Sequence, residues 1–145
     1  MKFNKVIKKM IERLSIVPLI VKDLDEALEF YTEKLGFEKV TDVMGPIHFL
    51  TVAPKKGMDT EILLQVPDPK LMGEEMATEL TNQIGKNPTW IFKVDDCEKT
   101  VEELREKGVK ILEEPTSDFP FGTHAIIADL YGNSLFLREP PKKQG

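Results

Sequence analysis

The chain has 145 residues, of which 41% are hydrophobic and 31% charged, with a net charge of −5 and one cysteine, Cys97. These values are those of an ordinary globular domain, and the acidic balance argues against a nucleic-acid partner. One cysteine excludes an intramolecular disulfide framework, and we found neither a secretory signal nor an apolar run of the roughly 20 residues that span a membrane. The sequence therefore predicts a cytoplasmic protein with no membrane partner.

Residues 1–13 are predicted to form an N-terminal extension of the domain. The segment is basic, and its apolar residues recur at helical spacing: Val6, Ile7, Met10 and Ile11. This pattern is typical of a short amphipathic helix that packs on the domain or on a partner subunit. A frayed extension and a weak membrane-surface anchor are the alternatives.

Residues 14–66 are predicted to form a first module of one strand, one helix and three further strands. Segment 14–21 is rich in Ile, Leu and Val, which favours a strand, and Pro18 indicates an edge, a bulge or an irregular junction. The later strands are predicted over 37–43, 47–53 and 60–66, with Gly- and Pro-containing turns between them.

The helix of this module has signals at both of its ends. Asp23 is the predicted N-cap, with Glu26 as its capping-box partner, and apolar residues continue at helical intervals to Leu35. Gly36 then stands where a C′ glycine in the left-handed conformation belongs.

Residues 67–88 are predicted to connect the first module to a second one. Apolar residues recur there at every fourth position, which predicts a helix: Met72, Met76, Leu80 and Ile84. The two methionines are expected to pack the helix onto the domain, and the alternative is that they also cover a cleft.

Residues 89–139 are predicted to form a second module of the same order, followed by a loose tail at 140–145. The elements expected are a strand at 89–94, a helix at 96–107, a strand near 109–113, a loop through Pro115 to Gly122, and strands at 123–129 and 134–139 joined by a hairpin turn at 129–133.

The second module repeats the first at an offset of 73 residues, as between Val21 and Val94 or Asp23 and Asp96. The offset between Gly36 and Gly108 is 72, so the second helix is one residue shorter. A strand, a helix and further strands used twice predict a pseudo-symmetric domain with a cleft between its halves.

The pattern D-x-x-x-A-x-x-F-Y-x-x-x-L-G-F occurs intact between Asp23 and Phe37. The second module carries Val94-Asp-Asp, Leu104-Arg-Glu-Lys-Gly108 and Asp129-Leu-Tyr-Gly-Asn133. With these segments, residues 14–139 resemble the vicinal oxygen chelate superfamily of glyoxalase I, bleomycin-resistance proteins and extradiol dioxygenases. The resemblance implies an α+β fold of paired βαβββ modules that form a U-shaped mixed sheet around a cleft, commonly in a homodimer.

In metal-using members of that superfamily, four ligands come from symmetric positions on the two modules. The resemblance places these positions at Ile16, Leu63, Thr89 and Phe136. Three of these side chains have no donor atom for a divalent ion, and a lone hydroxyl is a poor ligand set. We therefore expect no tightly bound metal and no cofactor, which disfavours glyoxalase or dioxygenase chemistry that needs a Lewis acid.

Two other sets of residues are candidate chemical sites. His48, His124 and Glu61 could supply three metal ligands if the fold brought them together; otherwise the histidines are surface or hydrogen-bonded residues and Glu61 is either cleft-facing or a solvated strand-end charge. Cys97 lies in the first turn of a predicted helix and is expected to be a core residue, not a nucleophile.

The sequence thus favours a ligand-binding protein, similar to the drug-sequestering members, with no assigned catalytic residue. Its ligand is an unidentified small, partly apolar molecule in the cleft between the modules. The predicted cleft residues are Ile16, Leu63, Thr89, Phe136, Glu61, Ile91, Lys93 and Arg138, with Ser134 beside them. One alternative is a glyoxalase- or dioxygenase-like lyase or oxidoreductase with a displaced or metal-independent site. The other is a cleft filled by its own side chains in a protein that acts only through its dimer.

Overall fold

The computed structural model of the protein describes residues 10–118, 120 and 122–142. The first module consists of β1 (Ile16–Ile20), α1 (Leu24–Glu29), a π-helical segment (Phe30–Lys34), β2 (Glu38–Met44), β3 (His48–Ala53) and β4 (Glu61–Gln65). The connection contains α2 (Pro69–Met72) and α3 (Glu74–Thr81). The second module consists of β5 (Trp90–Lys93), α4 (Cys97–Glu106), β6 (Lys110–Asp118), β7 (Gly122–Ala128) and β8 (Ser134–Glu139). None of the helices in these ranges is long and apolar enough to cross a membrane.

Each module forms a four-stranded mixed sheet of the same topology. The strand orders are β1-β4-β3-β2 and β5-β8-β7-β6. The first strand of each module runs parallel to the last, and the other neighbours are antiparallel. The predicted α+β fold of paired βαβββ modules is confirmed.

Two proline residues sit in edge strands, where a missing backbone N–H is tolerated. Pro18 lies in β1, which is an edge of its sheet, as the sequence indicated. The loop predicted from Pro115 onwards was wrong, because β6 continues to Asp118. β6 is also an edge strand, and its register shifts between Glu113 and Thr116, so the bulge takes up Pro115 without breaking the ladder.

The two chain ends add little regular structure to the described part of the fold. The predicted N-terminal helix falls mainly on residues 1–9, which lie outside the described residues, and residues 11–15 have no regular structure. Met10 and Ile11 are exposed. In the tail, residues 140–142 are irregular, and 143–145 lie outside the described residues.

The predicted N-cap of the first helix and the C′ glycines of both helices are confirmed. The Glu26 side chain does not act as the predicted capping-box partner: the backbone N–H of Asp23 donates to the Tyr131 hydroxyl at 3.2 Å, and that hydroxyl donates to the Glu26 carboxylate at 2.9 Å. The carboxylate of Asp23 accepts from the backbone N–H of Glu26 at 2.8 Å, and the carboxylate of Asp96 accepts from that of Lys99 at 3.0 Å. At the other end, Gly36 has φ 76° and Gly108 has φ 81°, a conformation that favours glycine.

The first helix differs from a regular α-helix in its second half. The backbone N–H of Leu35 bonds to the carbonyl of Phe30 at 3.2 Å, an i→i−5 bond. The first module has one residue more than the second between the N-cap aspartate and the C′ glycine. A wider turn accommodates that residue within the helix, so we attribute the π-helical segment to it.

Both modules contribute to one hydrophobic core. Buried side chains on the helix-covered face of the first sheet, such as Leu19 and Leu64, belong to the same cluster as Leu135 and Leu137 of the second sheet. The buried Tyr31 hydroxyl donates to Asp129 across the two modules at 2.7 Å. The opposite face of each sheet therefore points away from the shared core.

Candidate functional site

The face of each sheet that points away from the core carries most of the predicted cleft residues. Side chains alternate between the two faces of a strand, and Ile62 and Leu64 of β4 are buried in the core while Leu63 is only half-buried. We define the first open face as the outward face of the β1-β4-β3-β2 sheet, which carries Ile16, Thr51, Glu61, Leu63 and Gln65. The second open face belongs to the β5-β8-β7-β6 sheet and carries Ile91, Lys93, His124, Phe136 and Arg138.

Glu61 is held by hydrogen bonds on the first open face. The Thr51 hydroxyl donates to a carboxylate oxygen of Glu61 at 2.6 Å, and the backbone N–H of Thr41 donates to the Thr51 hydroxyl at 3.1 Å. Thr51 is fully buried. The carboxylate is thus positioned by the sheet and is not a freely solvated strand-end charge.

A cavity of about 520 Å³ borders the first open face. Leu63 and Gln65 line it together with His48, Leu71 and Met72, so α2 forms one of its walls. Met72 thus lines the cavity, which agrees with the alternative that the methionines also cover a cleft. Met76 is half-exposed on α3.

An aromatic stack and two cations characterise the second open face. The rings of His124 and Phe136 are stacked with centroids 5.0 Å apart and an angle of 10° between their planes. A ring nitrogen of His124 lies 3.2 Å from a carboxylate oxygen of Glu113. Arg138 lies opposite His124 on one side and opposite Lys93 on the other. This arrangement suits a planar aromatic body that carries a polar or acidic group.

The other predicted cleft residues occupy the edges of the two faces. Ile16 lies opposite Glu61 and is 37% exposed, and Ile91 lies opposite Phe136 and is 67% exposed. Thr89 directly precedes β5 and is exposed.

The residues that the resemblance assigns to metal positions do not fit a divalent ion. Ile16, Leu63 and Phe136 have hydrocarbon side chains, and the hydroxyl of Thr89 is the single donor of the set. A metal in this family's sites needs several nitrogen, oxygen or sulfur donors that converge.

The displaced site of His48, His124 and Glu61 is not assembled either. His48 bonds to Asp42 at 2.6 Å, while His124 and Glu61 have the separate partners given above. Over residues 10–118, 120 and 122–142, no three His, Cys, Asp or Glu side chains are grouped to hold a metal ion.

His48, which is paired with Asp42, lines the cavity of about 520 Å³ beside the first open face. The hydrogen bond from His48, and then the hydrogen bond from Lys39, lower the pKa of Asp42 below its usual value. An ionised Asp42 fixes the orientation of the His48 ring. Pairing of His48 with Asp42 was not predicted, although residues six apart across a tight hairpin are natural neighbours.

Cys97 is a core residue, as the sequence predicted. Its side chain is fully buried, and burial followed by the nearby Glu139 carboxylate raises the pKa of the thiol. A raised pKa leaves little thiolate at neutral pH, which disfavours a nucleophilic role.

Within one chain, the predicted cleft residues form two separate groups. They lie on two different sheets, and no strand pair joins those sheets in the described part of the chain. Leu63 lines the cavity described above, whereas Ile91 and Lys93 border a different cavity of about 340 Å³. The convergence of Ile16, Leu63, Thr89 and Phe136 stays a prediction.

Comparison with known proteins places the chain in a family. Residues 12–136 match the Glyoxalase/Bleomycin resistance protein/Dioxygenase superfamily. The chain is 37% identical over 125 residues to the uncharacterized protein YurT of Bacillus subtilis (strain 168), covering 85% of this chain and 95% of that protein.

Two solved structures are similar over almost their whole lengths. UcmS2 is 38% identical with a TM-score of 0.77, covering 89% of this chain and 98% of that chain. TnmS3, an antibiotic binding protein from Streptomyces sp. CB03234, is 28% identical with a TM-score of 0.73, covering 92% of this chain and 99% of that chain. The chain belongs to the Glyoxalase/Bleomycin resistance protein/Dioxygenase superfamily.

Proposed function

We propose that this superfamily member binds a small, partly apolar molecule in a cleft lined by the two open faces, without a metal. The observation that carries the proposal is the chemistry of these faces: Leu63 and Phe136 are apolar at the positions where metal-using relatives place ligands. Neither side chain belongs to the core cluster. The similarity to TnmS3, whose name describes antibiotic binding, supports this class of function.

A homodimer is part of the proposal. The two open faces point away from the one core that both modules share. The first open face of one protomer therefore meets the second open face of its partner, and two such clefts form in a symmetric dimer. The exposed edge residues Ile16 and Ile91 would be covered in this assembly.

The two walls of this cleft suggest the chemical class of the ligand. The second open face offers the His124–Phe136 stack for an aromatic ring, with Arg138 for an acidic or carbonyl group. The first open face offers apolar contact through Leu63 and an acceptor in the Thr51-held Glu61 carboxylate. An aromatic molecule with an acidic group and a hydroxyl group fits both walls.

We place the protein in the cytoplasm, since its one thiol is free and buried. A dimer with its clefts facing solvent could then capture a molecule inside the cell.

A metal-independent enzyme of the glyoxalase-like class is the second candidate. The Asp42–His48 pair favours it, because a histidine oriented by a carboxylate beside a cavity is an arrangement used for general base catalysis. Mass spectrometry of a recovered ligand separates the candidates. A binding protein returns the molecule unchanged, and an enzyme returns a product whose formation stops in His48→Ala.

Native mass spectrometry of protein purified under mild conditions tests the proposal. We expect a dimer that carries a co-purified small molecule, which is lost in Leu63→Asp and in Phe136→Asp. Met76→Lys, on the exposed side of α3, is the matched control and should retain the molecule. A monomeric protein, or a bound molecule unaffected by both cleft substitutions, would contradict the proposal.

A further inference from the structure

We infer that each chain carries a second binding cavity, next to the proposed cleft, for a small uncharged aromatic molecule with one hydroxyl group. This cavity has a volume of about 340 Å³ and lies between α4, the core side of the second sheet and the β3–β4 loop. It goes beyond the proposed function, because it is complete within one chain and uses the core face of β8. Ile91 and Lys93 of β5 border both this cavity and the second open face.

The walls of this cavity are apolar and come from both modules. Leu104 of α4 and Leu137 of β8 form part of its floor and are buried. Phe37 of the first module forms a side wall, and Met58 of the β3–β4 loop stands at the mouth with 47% of its surface exposed. An apolar interior with a flexible methionine at its entrance is suited to ligands of variable shape.

On β8, this cavity and the proposed cleft use opposite faces of the strand. Leu137 lines the cavity on the core side, whereas the neighbouring Phe136 lies on the second open face. Successive residues of a strand point to opposite faces, so a substitution at Phe136 leaves this cavity intact.

Thr100 of α4 is the one hydroxyl-bearing side chain among the described residues that line the cavity. Helical threonines commonly bond to the carbonyl four residues earlier, as Thr32 and Thr81 do here at 2.7 Å. The hydroxyl of Thr100 makes no such bond among the described residues. It is thus available to a hydroxyl group of a bound molecule.

The ligand must be uncharged, because the interior offers no partner for a charge. Among the described residues, Lys93 is the one charged residue that lines the cavity. Its side chain is 71% exposed, and its ammonium group lies 3.8 Å from the Asp95 carboxylate. Size sets the second limit. A cavity of about 150 Å³ binds benzene, so this one accommodates an aromatic body of two fused rings.

The probes are 2-naphthol and naphthalene, titrated into the full-length protein by isothermal calorimetry. We expect 2-naphthol to bind about 3- to 10-fold more tightly than naphthalene, as one hydrogen bond predicts. Thr100→Val, which keeps the shape and removes the hydroxyl, should abolish this preference while naphthalene binding remains. Thr100→Phe should weaken both ligands at least about 10-fold by filling the cavity.

Two further variants complete the test. Met58→Trp closes the mouth from a surface loop and should block both probes even if Thr100→Phe does not fold. Met76→Ala, an exposed residue of α3 that does not line the cavity, should leave both affinities unchanged. The inference is overturned if neither probe binds, or if Thr100→Phe and Met58→Trp both leave binding intact. Binding that persists in these two variants but is lost in Phe136→Asp would belong to the proposed cleft, so the two sites are distinguished.

Discussion

The helices of the two modules begin alike and end differently. Asp23 and Asp96 cap them through the same hydrogen bond, yet the first helix becomes π-helical at Phe30 while α4 stays α-helical to Glu106. Tyr31 occupies the position of Leu104 in the repeat, and its hydroxyl reaches Asp129 of the other module. The comparison teaches that the shared residues build each module, whereas the differences build the contact between modules.

Asp129 is the most heavily bonded group at that contact. Its buried carboxylate accepts from the Tyr31 hydroxyl, from the side-chain amide and backbone N–H of Asn133, and from the backbone N–H of Tyr131. The repeat partner of Asp129 in the first module is Lys56, which is exposed. The bonding is thus present in one module only.

Among the substitutions that compare the two modules, Asp129→Ala should cause the largest loss of stability. It leaves several buried donors without an acceptor, so we expect a loss of about 3–5 kcal/mol in the free energy of unfolding. Lys56→Ala, at the equivalent place, should change it by less than about 0.5 kcal/mol. Urea denaturation measures the free energy of unfolding of both variants. Similar losses in the two variants would show that the bonding of Asp129 is not an energetic difference between the modules.

The next comparison concerns the two faces of the matched strands β4 and β8. Leu64→Ala and Leu137→Ala remove core side chains at equivalent positions and should each cost about 2–4 kcal/mol. Leu63→Ala and Phe136→Ala remove half-buried side chains one residue earlier, so they should cost less, about 1–2 kcal/mol. Equal losses of stability for the two faces would mean that Leu63 and Phe136 are packed in a core and do not lie on open faces.

Gly36 and Gly108 are positions where the modules should respond alike. Their left-handed backbone disfavours any branched side chain, so Gly36→Val and Gly108→Val should each cost about 1–2 kcal/mol. Neither added Cβ atom would meet an atom closer than 3.5 Å, so strain in the backbone is the main cause. Gly45→Ala, in a turn without a positive φ, is the control. A loss of stability in only one of the two valine variants would show that the two helix ends are not equivalent.

Tyr31 should give the smallest signal, in the pH dependence of stability. Burial, and then the nearby Asp129 carboxylate, raise the pKa of Tyr31 far above its usual value. Above about pH 10 the unfolded chain loses a proton that the folded chain keeps, so stability falls by up to about 1.4 kcal/mol per pH unit. Below that pH the contribution is fully present.

Tyr31→Phe removes the ionisable hydroxyl and with it this pH dependence of stability, so the variant is compared directly with the wild-type protein. The difference in stability between the wild-type protein and the variant should shrink between pH 9 and pH 11. Tyr131, whose pKa is raised by burial, is present in both proteins and cancels. Parallel stability curves over this range would argue against a proton held by Tyr31.

The elements were predictable because their signals are local. The strand over residues 60–66, the N-cap Asp23 and the C′ glycines depend on residues a few positions apart, and all were confirmed. The π-helical segment could be predicted only in part. The sequence shows one extra residue in the first helix, but its accommodation depends on packing around Tyr31. The extension of β6 was missed because an edge strand tolerates Pro115.

The candidate site was predictable only within each module. Strand period places Leu63 and Phe136 on the faces opposite the core-facing Leu64 and Leu137. How the two modules face each other depends on contacts far apart in sequence, such as Tyr31 with Asp129 and the ring contact of Phe37 with Phe92. The stack of His124 on Phe136 likewise requires the pairing of β7 with β8.

A subunit-mixing experiment tests the central claim that the open faces of two protomers form one binding cleft. Leu63→Asp damages the first open face and Phe136→Asp the second, and each variant alone should lose binding of the fluorescent probe 8-anilinonaphthalene-1-sulfonate. Refolding the two variants together in equal amounts should restore about a quarter of the wild-type binding sites, because each mixed dimer has one cleft with both faces intact. Refolding each variant with itself should restore none. Absence of recovery in the mixture, with mixed dimers confirmed by native mass spectrometry, would contradict the account.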